Sequence, residues 1–120
     1  MGAYNFQKRF EPFIMSGEKQ HTIRAIRRHP DKPGNTISLY VGLRTKATRL
    51  LFRAPCTAVD TILITPGGQI RVNGIYLDDS EAEALARRDG FKDHAEFMAY
   101  WRRPLSILPF RGHIIHWRKP

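Results

Sequence analysis

The sequence has very little cysteine and no long apolar segment. Its single cysteine, Cys56, excludes an internal disulfide and is typical of a protein from a reducing compartment. No run of about 18 apolar residues is present, so the sequence predicts no transmembrane helix. The N-terminal segment MGAYNFQKRF lacks the apolar core of a signal peptide. We therefore expect a cytoplasmic protein that does not insert into a membrane.

The sequence also lacks the short motifs of several large enzyme classes. It has no P-loop, no dinucleotide-binding glycine pattern, no nucleophile elbow and no zinc-protease helix. His113 and His116 are three residues apart, so a regular strand would point them to opposite faces and they could not share a metal ion. We expect no metal and no other cofactor.

Acidic residues are scarce at both ends of the chain. The sequence has 20 Lys and Arg against 11 Asp and Glu, a net charge of +9. Residues 1–53 hold eleven basic and three acidic side chains, residues 54–100 hold four and eight, and residues 101–120 hold five and none. If the two ends meet in the fold, they form one positive surface that attracts a polyanion such as RNA. A merely solubilising surface charge is the alternative interpretation.

The pattern of apolar residues predicts a single domain over residues 1–120 with mixed α and β structure. One early helix is expected over residues 9–16, ending at Gly17. Ser80 and Glu83 form a capping-box pattern that predicts a helix to about Arg88, and Asp93 begins a second helix of the same kind. Strands are expected where β-branched and apolar residues alternate or cluster, at residues 4–8, 21–26, 36–41, 50–65 (one bent strand or two), 69–72 and 110–117.

The most informative segment is GEKQHTIR, residues 17–24, which is followed by the Pro/Gly turn and apolar strand of residues 32–42, KPGNTISLYVG. This order resembles the ASCH domain family, whose members share G-x-K-x-x-T-x-R and then such a turn and strand. A later segment with Asp89-Gly90-Phe91 and Glu96-Phe97 extends the resemblance over most of the chain. The resemblance implies an α+β fold: a PUA-like (ASCH) β-barrel of about five to six mostly antiparallel strands, with one early helix and a helical pair.

Within that family, the chain is similar to small bacterial amidohydrolases that deacetylate N4-acetylcytidine without a metal. The resemblance implies that Lys19 and Thr22 match their catalytic lysine and threonine. Asp89 matches their glutamate, although its carboxylate is one methylene shorter. Such a hydrolase would act on RNA or on a modified cytidine derived from RNA.

The chemistry of these residue types is consistent with that implication. Thr22 could supply a nucleophilic hydroxyl, and Lys19 could accept its proton if burial or nearby cations lower the pKa of the lysine. The three-residue spacing puts the two side chains on opposite faces of a regular strand, so they converge only if Lys19 lies in the turn before the strand. Asp89 could orient Lys19 or activate a water molecule.

Each of these residues also has a structural interpretation. Lys19 could neutralise the C-terminus of the early helix, Thr22 could be an ordinary strand residue, and Asp89 could be a residue of a last helical turn. His21 either tunes the site or is an ordinary strand histidine.

A second candidate site combines Tyr40 and Lys46 with nearby arginines. Other ASCH-type domains resemble ribonucleases or RNA-binding proteins, and Tyr40 and Lys46 could act as acid and base in the cleavage of single-stranded RNA. A barrel tyrosine beside a solvated basic loop is the alternative.

Nine arginines are candidate contacts to RNA. Any one of them could instead be solvated, and Arg24 could pair with a buried carboxylate such as Asp60 or Asp89. If no reaction occurs, the same residues would form a non-catalytic RNA reader. The nine are Arg24, Arg27, Arg28, Arg44, Arg49, Arg53, Arg102, Arg103 and Arg111.

Overall fold

The computed structural model describes residues 2–120 of the chain as a succession of strands and helices. The strands are β1 Gly2–Phe6, β2 His21–Ala25, β3 Thr36–Val41, β4 Arg49–Ile64, β5 Ile70–Val72, β6 Ile75–Tyr76 and β7 Phe110–Trp117. The helices are α1 Glu11–Ser16, preceded by a 3-10 turn at Lys8–Phe10, α2 Asp79–Arg88 and α3 His94–Trp101.

The long strand β4 organises the sheet. It pairs antiparallel with β3 along its first half and with β7 and β5 along its second half. The sheet continues from β3 to β1, which pair in parallel, and from β7 to β2, which pair antiparallel. The curled mixed sheet with its three helices confirms the predicted α+β class. It contains one strand more than expected, because the two-residue strand β6 is too short to give a sequence signal.

The core lies between the concave sheet and the helices. Its fully buried side chains come from both, because the alternating apolar positions of the strands face the apolar stripes of the helices. They include Tyr4, Ile14, Ile37, Leu39, Cys56, Ile64, Ile70, Phe97, Met98 and Ile114. The early helix and the helical pair thereby share one core with the sheet.

Most predicted elements are confirmed, and the bounds of β3 and β7 match the expected ones. The segment predicted as one bent strand or two over residues 50–65 is one continuous strand, β4, that begins at Arg49 and ends at Ile64. The first strand ends at Phe6 instead of residue 8, because Lys8 begins a 3-10 turn that leads into α1.

The capping box of α2 differs from the prediction. The N-cap is Asp78, whose side chain accepts a hydrogen bond from Glu81 N at 2.7 Å, while Glu81 Oε1 accepts one from Asp78 N at 2.9 Å. Ser80 therefore lies inside the helix. At α3 the prediction is confirmed, since Asp93 accepts a hydrogen bond from Glu96 N.

None of the helices within residues 2–120 is long and apolar enough to cross a membrane.

Candidate active site

A pocket of about 280 Å³ opens where β1, β2 and the ends of α2 and α3 meet; we call it the Lys19 pocket. Its size is near the lower end of the range for small-molecule sites. Aromatic rings form much of its wall, and polar groups from three elements converge on it. The lining residues are Asn5, Phe6, Gln7, Phe10, Lys19, Thr22, Ile23, Arg24, Asp89, Phe91, Tyr100 and Trp101.

Lys19 lies in the turn between α1 and β2. Gly17 ends α1 in a left-handed conformation, with φ of 86°, and Lys19 N then donates a hydrogen bond to Phe13 O. The side chain is 3% exposed and extends past the rings of Phe6 and Phe10. The chain therefore reverses before the strand begins, and Lys19 and Thr22 reach the same pocket.

Asp89 lies at the C-cap of α2, where its position is fixed by the end of the helix. Its N–H donates a hydrogen bond to Leu85 O, and Gly90 follows with φ of 99°. A Cβ on Gly90 would lie 2.7 Å from the Phe10 ring, so the close approach of Phe10, immediately before α1, to this turn requires glycine. The helix end thus brings a carboxylate and a free carbonyl to the Lys19 pocket.

The Lys19 ammonium donates hydrogen bonds to two oxygen atoms of Asp89, the backbone O and Oδ1, each at 2.7 Å. Nε2 of His21 lies 3.1 Å from the same Oδ1, although its alignment is not that of a regular hydrogen bond. All three side chains are buried. A single carboxylate oxygen thus faces two nitrogen atoms.

Burial sets the protonation properties of this cluster. It lowers the pKa of Lys19, and the positive charge of Arg24 lowers it further, while Asp89 opposes both effects. Burial alone would raise the pKa of Asp89, but Lys19 and His21 together hold it below its usual value. The carboxylate is therefore ionised at neutral pH, and the buried lysine holds its proton less tightly than a solvated one.

Thr22 lies in β2 opposite Ile115 of β7 and is 4% exposed. Its Oγ1 accepts a hydrogen bond from Arg24 Nε at 2.9 Å, and Arg24 also donates to Asn5 O at 2.6 Å. A threonine hydroxyl has two lone pairs and one hydrogen, so the bond from Arg24 leaves the hydroxyl hydrogen free for a base. Burial lowers the pKa of Arg24, but a guanidinium remains charged in proteins.

Comparison with known proteins adds one result. No protein-family model matches the chain, and no curated protein matches it. Among solved structures, the crystal structure of a tyrosine-to-phenylalanine variant of ZmASCH from Zymomonas mobilis is similar, with a TM-score of 0.56 and 15% sequence identity over 98% of this chain and 68% of that one. This chain has an ASCH-like fold. At this level of identity the similarity establishes the fold alone.

The ASCH-like fold brings three of the five predicted catalytic residues together, and these are Lys19, Thr22 and Asp89. Tyr40 and Lys46 do not line the Lys19 pocket. Tyr40 is half-buried in β3 beside a bulge, and Lys46 is exposed in the turn between β3 and β4. Their role in RNA cleavage stays a prediction.

Of the nine predicted arginines, Arg24 lines the Lys19 pocket, and the other eight lie outside its lining. Several of these eight are already engaged within the described chain. Arg27 stacks on Tyr4 and donates to Ala3 O, Arg49 pairs with Glu11, Arg53 donates to Ser38, Arg102 to Pro66 O, and Arg103 stacks on Tyr100. Arg28, Arg44 and Arg111 are exposed. The proposed pairing of Arg24 with Asp60 is wrong, because Asp60 instead contacts His116 Nε2 at 2.8 Å and accepts a hydrogen bond from Asn73.

Sequence reasoning missed several residues of the Lys19 pocket. Tyr100 and Trp101 fall in the helix predicted to begin at Asp93, but nothing in the sequence placed that helix next to β2. Asn5 and Gln7 gave no signal, because isolated amides at a strand end are common. His21 stood inside the most informative segment, and its proximity to Asp89 was not expected.

Proposed function

We propose that this chain is an amidohydrolase that removes the acetyl group from a modified cytidine of the N4-acetylcytidine type, free or within RNA. One observation carries the proposal: Lys19, a buried lysine with a lowered pKa, lines the same pocket as Thr22, whose hydroxyl hydrogen is free. A base and a nucleophile on one small pocket are the minimum that amide hydrolysis requires.

In the first half of the reaction, neutral Lys19 takes the proton of Thr22, and Oγ1 attacks the carbonyl carbon of the acetyl group. The charge that develops on the carbonyl oxygen needs a donor, and the Arg24 guanidinium is the charged donor nearest to Thr22. Lys19 then gives its proton to the departing cytidine nitrogen. The C–N bond breaks, cytidine leaves, and the acetyl group stays on Thr22 as an ester.

In the second half, a water molecule attacks the ester while Lys19 accepts its proton. The ester bond breaks, Lys19 returns the proton to Thr22 Oγ1, and the product leaves as acetic acid, which ionises to acetate in water. Asp89 holds Lys19 through Oδ1 and its backbone oxygen in both halves, so the amine cannot turn away from the pocket.

The walls of the Lys19 pocket suit a flat, partly polar ligand. Phe6, Phe91 and Tyr100 offer ring faces and edges on which a base could stack. Asn5 and Gln7 offer side-chain amides that can hydrogen-bond the polar edge of a pyrimidine.

The test is incubation of the purified protein with N4-acetylcytidine, followed by chromatography of released cytidine. We expect Thr22→Val, which keeps the shape of the buried side chain, to lower kcat at least roughly 1,000-fold. Lys19→Met should lower it by about 100-fold to 10,000-fold. Thr36→Val and Lys46→Met are matched controls outside the pocket and should retain the parental rate. A Thr22→Val protein with full activity would show that Thr22 is not the nucleophile.

A non-catalytic RNA reader is the second candidate, and the net charge of +9 favours it. It predicts that the protein retains single-stranded RNA, releases no cytidine and cleaves no RNA.

The ribonuclease prediction is tested by incubating the protein with labelled RNA, with and without chelator. Fragments that disappear in Tyr40→Phe and Lys46→Ala would assign RNA cleavage to that region.

A further inference from the structure

His21 is a buried histidine without a direct part in the proposed reaction. It lies in β2, immediately before Thr22, and is 4% exposed. Burial of an unpaired polar group costs free energy, so a buried imidazole next to the candidate nucleophile implies a compensating role.

One oxygen of Asp89 is shared between Lys19 and His21. Oδ1 is 2.7 Å from Lys19 Nζ and 3.1 Å from His21 Nε2. When Nε2 carries the hydrogen, the imidazole draws negative charge density on Oδ1 toward itself. The same oxygen then stabilises the Lys19 ammonium less than an unshared carboxylate would.

The groups around His21 determine its charge. Asp89 faces it from the end of α2 and Lys19 from the turn before β2. The ring of His116, on β7, lies 5.8 Å away, and His116 is itself in contact with Asp60 of β4. Glu18, Arg88 and Arg118 line an adjoining pocket that His21 also borders. Burial lowers the pKa of His21 more than Asp89 raises it, so the imidazole is neutral at pH 7 and acts as a dipole.

We propose that His21 is a positioning residue: its Nε2, 3.1 Å from Asp89 Oδ1, weakens the hold of that oxygen on the Lys19 ammonium, so that the lysine can act as a base near neutral pH. This inference rests on the proposed amidohydrolase function. It also gives a role to the carboxylate of Asp89, whose Oδ1 reaches both nitrogen atoms from the end of α2.

Two variants separate this role from simple packing. His21→Gln keeps an N–H donor near the place of Nε2, and His21→Leu keeps the volume without a donor. We expect the acidic limb of the kcat profile to move by about one pH unit toward higher pH in His21→Leu, with a roughly tenfold loss of kcat at pH 7 and an unchanged KM. His21→Gln should keep the parental profile. If both variants shift equally, or if neither does, the inference is wrong.

A measurement without substrate separates this inference from the proposed function. The titration midpoint of the Lys19 ammonium can be followed by nitrogen-detected NMR in the parental protein and both variants. We expect a higher midpoint in His21→Leu and an unchanged one in His21→Gln. An unchanged midpoint in both would overturn the inference, whereas a parental protein that fails to hydrolyse N4-acetylcytidine would overturn only the function. If His21→Leu does not fold, His21→Asn replaces it, because its shorter amide does not reach Oδ1.

Discussion

The ammonium nitrogen of Lys19 has two structural roles. It contacts the carboxylate of Asp89 and also the last free carbonyl of α2, so it both pairs a buried charge and caps a helix. The structural interpretation of Lys19 as a helix-neutralising residue therefore applies, although the helix is α2 and not the preceding α1. Activity lost in any Lys19 variant has to be compared with its stability.

The Lys19–Asp89 pair gives a stability prediction. Asp89→Asn should destabilise the fold by about 3–5 kcal/mol, because it leaves a buried ammonium without its counter-charge. The double variant Lys19→Met with Asp89→Asn should be less destabilised than Asp89→Asn alone. Urea unfolding followed by tryptophan fluorescence measures both, with the exposed Asp79→Asn as the matched control. Additive effects of the two changes would contradict the pairing.

His21 gives a prediction about pH and stability. Burial lowers the pKa of His21, so below its ordinary value of 6.5 the unfolded chain binds a proton that the folded chain does not. Stability should therefore fall as the pH decreases from 6.5, until the folded-state pKa is reached. His21→Gln should remove this part of the fall in Tm, and the exposed His29→Gln should retain it. A wild-type Tm that is constant between pH 7 and pH 5 would disagree with this prediction.

At the scale of elements, α2 has a capping box at its N-terminus and the candidate site residue Asp89 at its C-terminus. Asp78→Ala removes the side-chain acceptor of the capping box and should cost about 1 kcal/mol. Ser80→Ala lies inside the helix and should cost close to nothing, which makes it the matched control. Thermal unfolding of the two variants measures the difference. Equal losses would mean that the cap is not at Asp78.

The capping box also shows where local sequence is ambiguous. Asp78 and Ser80 are both good N-cap residues, and each has a glutamate three residues later. The pattern alone does not choose between them. The alternation in β3 and β7 was unambiguous, because a shift by one residue would turn the apolar side chains away from the core.

The part of the candidate site that lies within one short segment could be predicted from the sequence. Lys19 and Thr22 belong to one short segment, and Gly17 indicated the turn that lets them converge. Asp89 came from family resemblance, whereas its contact with His21 joins residues 68 positions apart and has no local signal. The same holds for Tyr100 and Trp101, whose helix was predicted but not its neighbour. Long-range packing decides these contacts.

At the scale of the whole molecule, the excess positive charge predicts salt-dependent binding of RNA. For single-stranded RNA, each neutralised phosphate contributes about 0.7 to the slope of log affinity against log salt. Arg28→Gln removes an exposed cation and should lower that slope by about this amount if Arg28 contacts a phosphate. Arg49→Gln should change it less, because Arg49 already pairs with Glu11. Fluorescence anisotropy at several salt concentrations measures the slopes, and affinity independent of salt would exclude phosphate binding.

The pairing of β2 has a consequence for the order in which the protein is made. Thr22 lies on β2, whose hydrogen-bonded neighbour among the strands of residues 2–120 is β7. On the ribosome, β2 emerges long before Phe110–Trp117 has been synthesised, so a nascent chain carries Lys19 and Thr22 without the strand that aligns them. The pocket is therefore assembled late, after β7 has joined the sheet and aligned β2.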